Sequence, residues 1–180
     1  MAKQLSVRFY QRFDSGGKIL DERLARITTD SSAKAFEPRP DGLKVLLINP
    51  PIREWSYPNI MPLGQGYMAA VAVTDGHQAD VLDLNAERRE PVNVSEPEFG
   101  RWVEARVLEK IECDRPDVIG IGGIITQYGR IKAIGRLCRR ACPEVPIVLG
   151  GGIASSMPEF MVRRLPVDVA GQEEGEVTFS

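Results

Sequence analysis

Residues 117 to 128 read DVIGIGGIITQY, and the architecture follows from them. Val118, Ile119 and Ile121 form a short apolar run in which Gly120 removes one side chain, as suits a strand buried on both faces of a parallel sheet. Gly122 and Gly123 end the run, and two residues without Cβ let another backbone or a ligand approach the strand's carboxyl end. Thr126 then stands as the expected N-cap of a helix whose apolar residues are Ile131, Ile134, Leu137, Cys138 and Ala141. A buried strand, a glycine corner and a helix start describe either a ligand-facing loop of an open α/β sheet or tight helix-on-sheet packing.

Working outward, the same alternation recurs. Lys44 to Asn49 (KVLLIN) reads as a first strand stopped by Pro50-Pro51, and a helix starting near Leu63 carries Tyr67, Met68 and Val71. Asp75-Gly76-His77 closes that helix before a second strand, Ala79 to Leu84. A helix from about Glu98 to Cys113 presents Trp102, Val103, Val107 and Ile111 on one stripe, and Arg115-Pro116 breaks it before the central strand. Ile147-Val148-Leu149 is a fourth strand, Ser155 or Ser156 is the expected cap of a short helix through Met157, Phe160, Met161 and Leu165, and Val167 to Ala170 is a fifth strand. Five strands alternating with four helices predict a doubly wound, flavodoxin-like parallel sheet in the order 2-1-3-4-5. This main domain spans 43–180. Residues 1–42 form an arm and linker: Leu5, Val7 and Phe9 alternate as a strand, Asp14 to Gly17 signals a turn, Lys18 to Leu20 is a candidate returning strand, and Thr28 to Gly42 reads as a linker. A sheet of this order normally carries a fifth helix. Its place is expected to be filled by the arm, by another chain, or by the rest of a longer protein.

Composition narrows the function classes. The 180 residues are 43% hydrophobic with a formal charge of −2, which describes a mildly acidic globular chain with no basic excess pointing to nucleic acid. No apolar run approaches the ~20 residues that cross a bilayer, and the amino terminus has no signal core, so a cytoplasmic location is the default expectation. Cys113, Cys138 and Cys142 form no disulfide framework. Cys138 and Cys142, four apart on one helix, read as small core residues in preference to half of a metal site.

The loop after the first strand excludes several ligands. A dinucleotide fold needs Gly-x-Gly-x-x-Gly there, where Asn49-Pro50-Pro51 stands, and no Gly-Lys-Ser/Thr phosphate loop occurs anywhere. The hydroxyl-rich loop of a flavin-mononucleotide site is missing, and Gly122 stands where a phospho-receiver needs an acid. The strand ends instead offer small residues: Gly122-Gly123, Gly150-Gly151-Gly152 and Glu174-Gly175-Glu176. They predict a groove for a long, thin part of a ligand.

KVLLINPP, Pro62-Leu63-Gly64, Gly66-Tyr67-Met68-Ala69-Ala70, Gly76-His77 and Asp83-Leu84-Asn85, continued by Pro116 to Gly120, Thr126, Leu149-Gly150-Gly151, Asp168 and Glu174 to Thr178, together resemble the cobalamin (vitamin B12)-binding domain of cobalamin-dependent radical SAM proteins. The resemblance covers 43–180 and implies a corrinoid lying across the strand ends with its nucleotide tail threaded toward the sheet. It places Gly122 and Ile124 at a Ser-x-Leu pair, Gly150 and Gly151 at the glycines that admit the tail, and Glu174, Gly175 and Glu176 at the far wall. Pro51, Ile52, Leu63, Asn85 and Thr126 complete the expected cofactor-binding set. Gly122 lacks the usual hydroxyl, and Gly171-Gln172-Glu173 departs from the usual approach to Glu-Gly-Glu, so the fifth strand is expected to be short.

Methionine-synthase-like domains ligate cobalt through a histidine after the first strand; residues 49 to 62 contain none, and His77 falls at the opposite end of the sheet. The expectation is base-off, His-off cobalamin with Ile52, Trp55 or Tyr57 shielding the lower face. Cys138-x-x-x-Cys142 is followed by Val145, not by a third cysteine, so no iron–sulfur cluster is expected in this chain. Alone it should bind and not turn over, with a methyl-transferring or ring-forming radical SAM barrel, or another copy of itself, as partner, and neither nucleic acid nor membrane. The alternative is a cofactor-free protein-interaction module that keeps the fold. An independent hydrolase lacks a nucleophile–base pair.

Overall fold

A computed structural model describes residues 9–11, 42–52, 61–87 and 95–172. In chain order the elements are β1 (Phe9–Gln11), β2 (Lys44–Asn49), α1 (Leu63–Thr74), β3 (Gln78–Asp83), α2 (Glu96–Asp114), β4 (Val118–Gly122), a 3-10 turn (Ile125–Gln127), α3 (Tyr128–Ala141), β5 (Ile147–Gly150), α4 (Gly152–Ser156), α5 (Pro158–Arg164) and β6 (Val169–Gly171). The sheet order is β3-β2-β4-β5-β6 with β1 outermost. The five strands from β2 onward are parallel, which is the expected 2-1-3-4-5. β1 adds an antiparallel edge, Tyr10 opposite Ala170. The arm's strand therefore extends the sheet; Leu5, Val7, the turn at Asp14 to Gly17 and the candidate strand at Lys18 to Leu20 lie outside the described residues. β6 has three residues, as short as expected.

Registers assign side chains to faces. Leu46 pairs with Ile119 and Ile119 with Ile147, so these point one way with Ile48, Ile121 and Leu149. They meet Val107 and Ile111 of α2, Ile131, Ile134 and Leu137 of α3, Met161 of α5 and Leu165 just after it in the main core. Burying each such side chain contributes about 1.5–3 kcal/mol, which makes this face the principal source of stability. The opposite face carries Val45, Leu47, Gly120, Gly122, Val148 and Gly150. There α1 covers Val45 and Leu47 with Met68, Ala69 and Ala72, while Val118 and Val148 are half-buried. Among the described residues no helix lies over the β4–β5 half of this face.

Local chemistry explains the element ends. Ser95 and Glu98 form a capping box, the Ser95 amide donating to Glu98 Oε2 at 2.9 Å, so α2 begins two residues earlier than its apolar stripe suggests. Arg115 (φ 49°) ends α2 in the left-handed region, and Pro116 follows. Two expected caps are corrected. Thr126 lies inside the 3-10 turn and is exposed, because the chain makes that tight turn before α3 begins at Tyr128. Ser155 and Ser156 end α4, not begin α5, their hydroxyls donating back to the carbonyls of Gly151 and Gly152.

Candidate functional site

The β4–β5 half of the thinly covered face is paved with glycine. Gly122 and Gly150 are register partners, and Gly120 lies two residues before Gly122 on the same face. A Cβ on Gly120 would stand 2.7 Å from Leu47 Cδ2, and one on Gly122 2.8 Å from the Gln65 amide nitrogen. At Gly150 a Cβ would meet no atom of the described residues within 4 Å. The result is a shallow groove beside α1, floored by backbone and flanked by Gln65, running up to the strand tips.

At those tips the loops after β4 and β5 interlock. Gly151 takes φ +78°, and a Cβ there would lie 2.8 Å from Gly123 O. The Ile153 amide donates to that same carbonyl at 3.1 Å, so the two glycine corners form one surface. Large apolar side chains stand exposed around it: Ile52 after β2, Met61 and Leu63 at the start of α1, Ile124 and Ile125 after β4. Singly such exposure is ordinary; gathered at the carboxyl edge of one sheet it describes an apolar rim.

The loop after β2 is held by two buried amides. Asn85 (6% exposed) and Gln127 (5% exposed) are the buried polar side chains among the described residues. Both donate to Pro50 O, Asn85 Nδ2 at 3.1 Å and Gln127 Nε2 at 2.9 Å, which uses both lone pairs of that carbonyl. Asn85 Oδ1 accepts from the Ile52 amide at 2.8 Å, and Gln127 Oε1 from the Ile124 amide at 3.0 Å. The line continues through Asp83 to Asn49, and from Asn49 to Gln65 at 3.3 Å. Tips of three neighbouring strands are thereby laced together, with Pro51 and Ile52 held in place.

The structure gathers Pro51, Ile52, Leu63, Asn85, Gly122, Ile124, Thr126, Gly150 and Gly151 at this one edge. Glu174, Gly175, Glu176, Trp55 and Tyr57 lie outside the described residues. Gln65 and Gln127 were not among the expected residues, since nothing in a lone glutamine marks a long-range contact. His77 sits at the opposite end of the sheet, where its Nδ1 accepts from the Leu43 amide at 3.2 Å. Cys138 is fully buried, and burial together with the neighbouring Cys142 pushes its thiol up to about 12. Cys142 is half-buried and donates to Cys138 O. A cleft of about 400 Å³ between α2 and α3, lined by Phe99, Val103 and Arg130, opens on the other face of the sheet, away from the glycine floor.

A doubly wound sheet with a glycine groove and apolar rim at its carboxyl edge defines a ligand-binding domain of the open α/β class. Residues 56–180 match the model of the B12 binding domain, and the chain belongs to that family, whose cofactor is cobalamin. It is 30% identical over 145 residues to a cytidylyl-2-hydroxyethylphosphonate methyltransferase of Streptomyces wedmorensis, a match covering 76% of this chain and 27% of that protein. It is 25% identical over 143 residues to an uncharacterized methyltransferase of Pyrococcus horikoshii, covering 76% of this chain and 28% of that protein. The chain thus spans little more than a quarter of these curated relatives. Among the described residues no helix is long and apolar enough to cross a membrane.

Proposed function

We propose that this domain holds cobalamin base-off and His-off, its nucleotide tail in the groove floored by Gly122 and Gly150, as the cofactor-carrying part of a radical SAM methyltransferase. The observation that carries the reading is the space over Gly150, where a Cβ would meet no atom of the described residues within 4 Å, at the carboxyl edge that carries the apolar rim. Ile52, Leu63, Ile124 and Ile125 would hold the corrin ring against the apolar rim. Glu174, Gly175 and Glu176 remain, by resemblance, the far wall. When bound, cobalamin supplies a cobalt centre able to carry a methyl group. The chain's own part is to bind, to exclude water, and to keep protein ligands off the metal: Pro51 and Ile52, clamped by Asn85 and Gln127, occupy the loop that would otherwise present one.

Both matched relatives are named methyltransferases, which supports methyl transfer as the parent chemistry. In that arrangement catalysis belongs to a further domain and this chain alone does not turn over. The exposed apolar residues along α1, Leu63 (61%), Tyr67 (60%) and Val73 (57%), suit contact with such a domain. They equally favour the second reading, a cofactor-free interaction module, which predicts a stable oligomer without corrinoid. The test is titration with hydroxocobalamin, reduction to the cobalt(II) state, and electron paramagnetic resonance. Binding without nitrogen splitting from an axial ligand is expected. Nitrogen splitting would refute the base-off, His-off state, and absence of binding would refute the cofactor reading.

A further inference from the structure

Gly122 carries no side chain, yet the space above it is not apolar. Gln65, from the first turn of α1, places its amide there: a Cβ on Gly122 would stand 2.8 Å from Gln65 Nε2 and 3.5 Å from Cδ. Gln65 is half-buried, and its tie to the protein is one long hydrogen bond, Nε2 to Asn49 Oδ1 at 3.3 Å. Among the described residues its second N–H and its Oε1 have no partner. An apolar occupant of the groove would strip water from this amide and leave it unpaired, at a cost. The occupant that fits presents a hydrogen-bonding atom to it.

We infer that Gln65 is the specificity residue that hydrogen-bonds the nucleotide tail, supplying from α1 the polar group that position 122 lacks. The inference rests on the cobalamin reading. A tail base that has left the cobalt exposes a ring nitrogen, an acceptor that needs a donor once buried, and the free N–H of Gln65 Nε2 is the donor placed at the groove floor. The two positions share one space: a side chain at 122 requires the end of the Gln65 side chain to move. Shortening Gln65 clears the space in which a serine hydroxyl at 122 can take over its role.

The test compares cobalamin with cobinamide, which has the corrin ring and no nucleotide tail, on the full chain. Wild type binds cobalamin more tightly than cobinamide. Gln65→Met, nearly the same shape without the amide, weakens cobalamin about tenfold and leaves cobinamide unchanged. The double variant Gln65→Ala/Gly122→Ser recovers most of the cobalamin affinity, while Gln65→Ala alone does not. Equal effects of Gln65→Met on both corrinoids, or none on either, overturn the inference while the cofactor reading stands. Wild type that binds neither corrinoid rejects both. Circular dichroism melts of each variant confirm that folded proteins are being compared.

Discussion

Gln127 donates its side-chain amide to the carbonyl of Pro50 at 2.9 Å, joining positions 77 apart in sequence. Its other end accepts from the Ile124 amide, so one buried side chain ties the loop after β4 to the loop after β2. Prolines cannot donate, and a turn that begins Pro50-Pro51 has to be anchored through its carbonyls.

Replacing Gln127 with leucine keeps the volume and removes its bonds to Ile124 and Pro50, together with a longer one to Pro51 O at 3.4 Å. The Ile124 amide loses its acceptor, and Pro50 O keeps Asn85 alone. Stability should fall by about 1–3 kcal/mol, the usual cost of orphaning buried polar groups. Urea denaturation at unchanged slope measures it; a loss under about 0.5 kcal/mol would show that the clamp carries no strain of this kind.

Acid should weaken the tie between β3 and α2. Lys110 bridges Asp80 and Asp114, and its hydrogen bond holds the Asp80 carboxyl below its ordinary pKa. Burial works against the charge of Lys110, but the bonds to both carboxylates outweigh it and raise its pKa. A depressed folded-state pKa contributes stability that is present above the unfolded value and lost as pH falls through the folded one. Asp80 is largely exposed, so the contribution is at most about 1 kcal/mol. Asp80→Asn should therefore be slightly less stable than wild type at pH 7, with the gap closing as pH falls through the depressed folded-state pKa. A gap that widens on acidification would contradict the pairing.

Thiol chemistry should sort the cysteines by burial. Cys138 is sealed in the main core with its thiol pushed up to about 12, whereas Cys113 is exposed. At pH 8 an alkylating reagent should modify Cys113 in the native protein and reach Cys138 only after denaturation. Peptide mass mapping over time reads this directly. Native Cys138 labelling as fast as Cys113 would mean that α3 is not packed as described.

Much of the fold was legible because a parallel sheet writes itself as apolar runs. Val45 to Ile48 and Ile119 to Ile121 are buried on both faces, and no amphipathic helix has that pattern. Even the short fifth strand followed from the Gly171-Gln172 departure. What stayed hidden depends on distance or on local competition. The alternating residues of the arm suggest a strand, but nothing in them names β6 as its partner. Thr126 has the chemistry of a cap, yet the 3-10 turn at Ile125 shifts the helix start past it. At the site, the glycines were readable because absent side chains mean close approach. Gln65 and Gln127 were not, because a glutamine's partner is set by which loops the folded sheet brings together. The glycine at 122 looked like a lost polar contact; the geometry puts an amide from α1 in its place.

The groove itself is tested most directly at Gly150. The Cβ of a leucine there meets no atom of the described residues within 4 Å and the residue needs no left-handed backbone, so Gly150→Leu should fold with a melting temperature close to wild type. Its side chain fills the space assigned to the nucleotide tail. Isothermal titration with hydroxocobalamin should show affinity reduced at least a hundredfold, about 2.7 kcal/mol. A folded Gly150→Leu protein that binds the corrinoid as tightly as wild type would place the tail elsewhere and contradict the account.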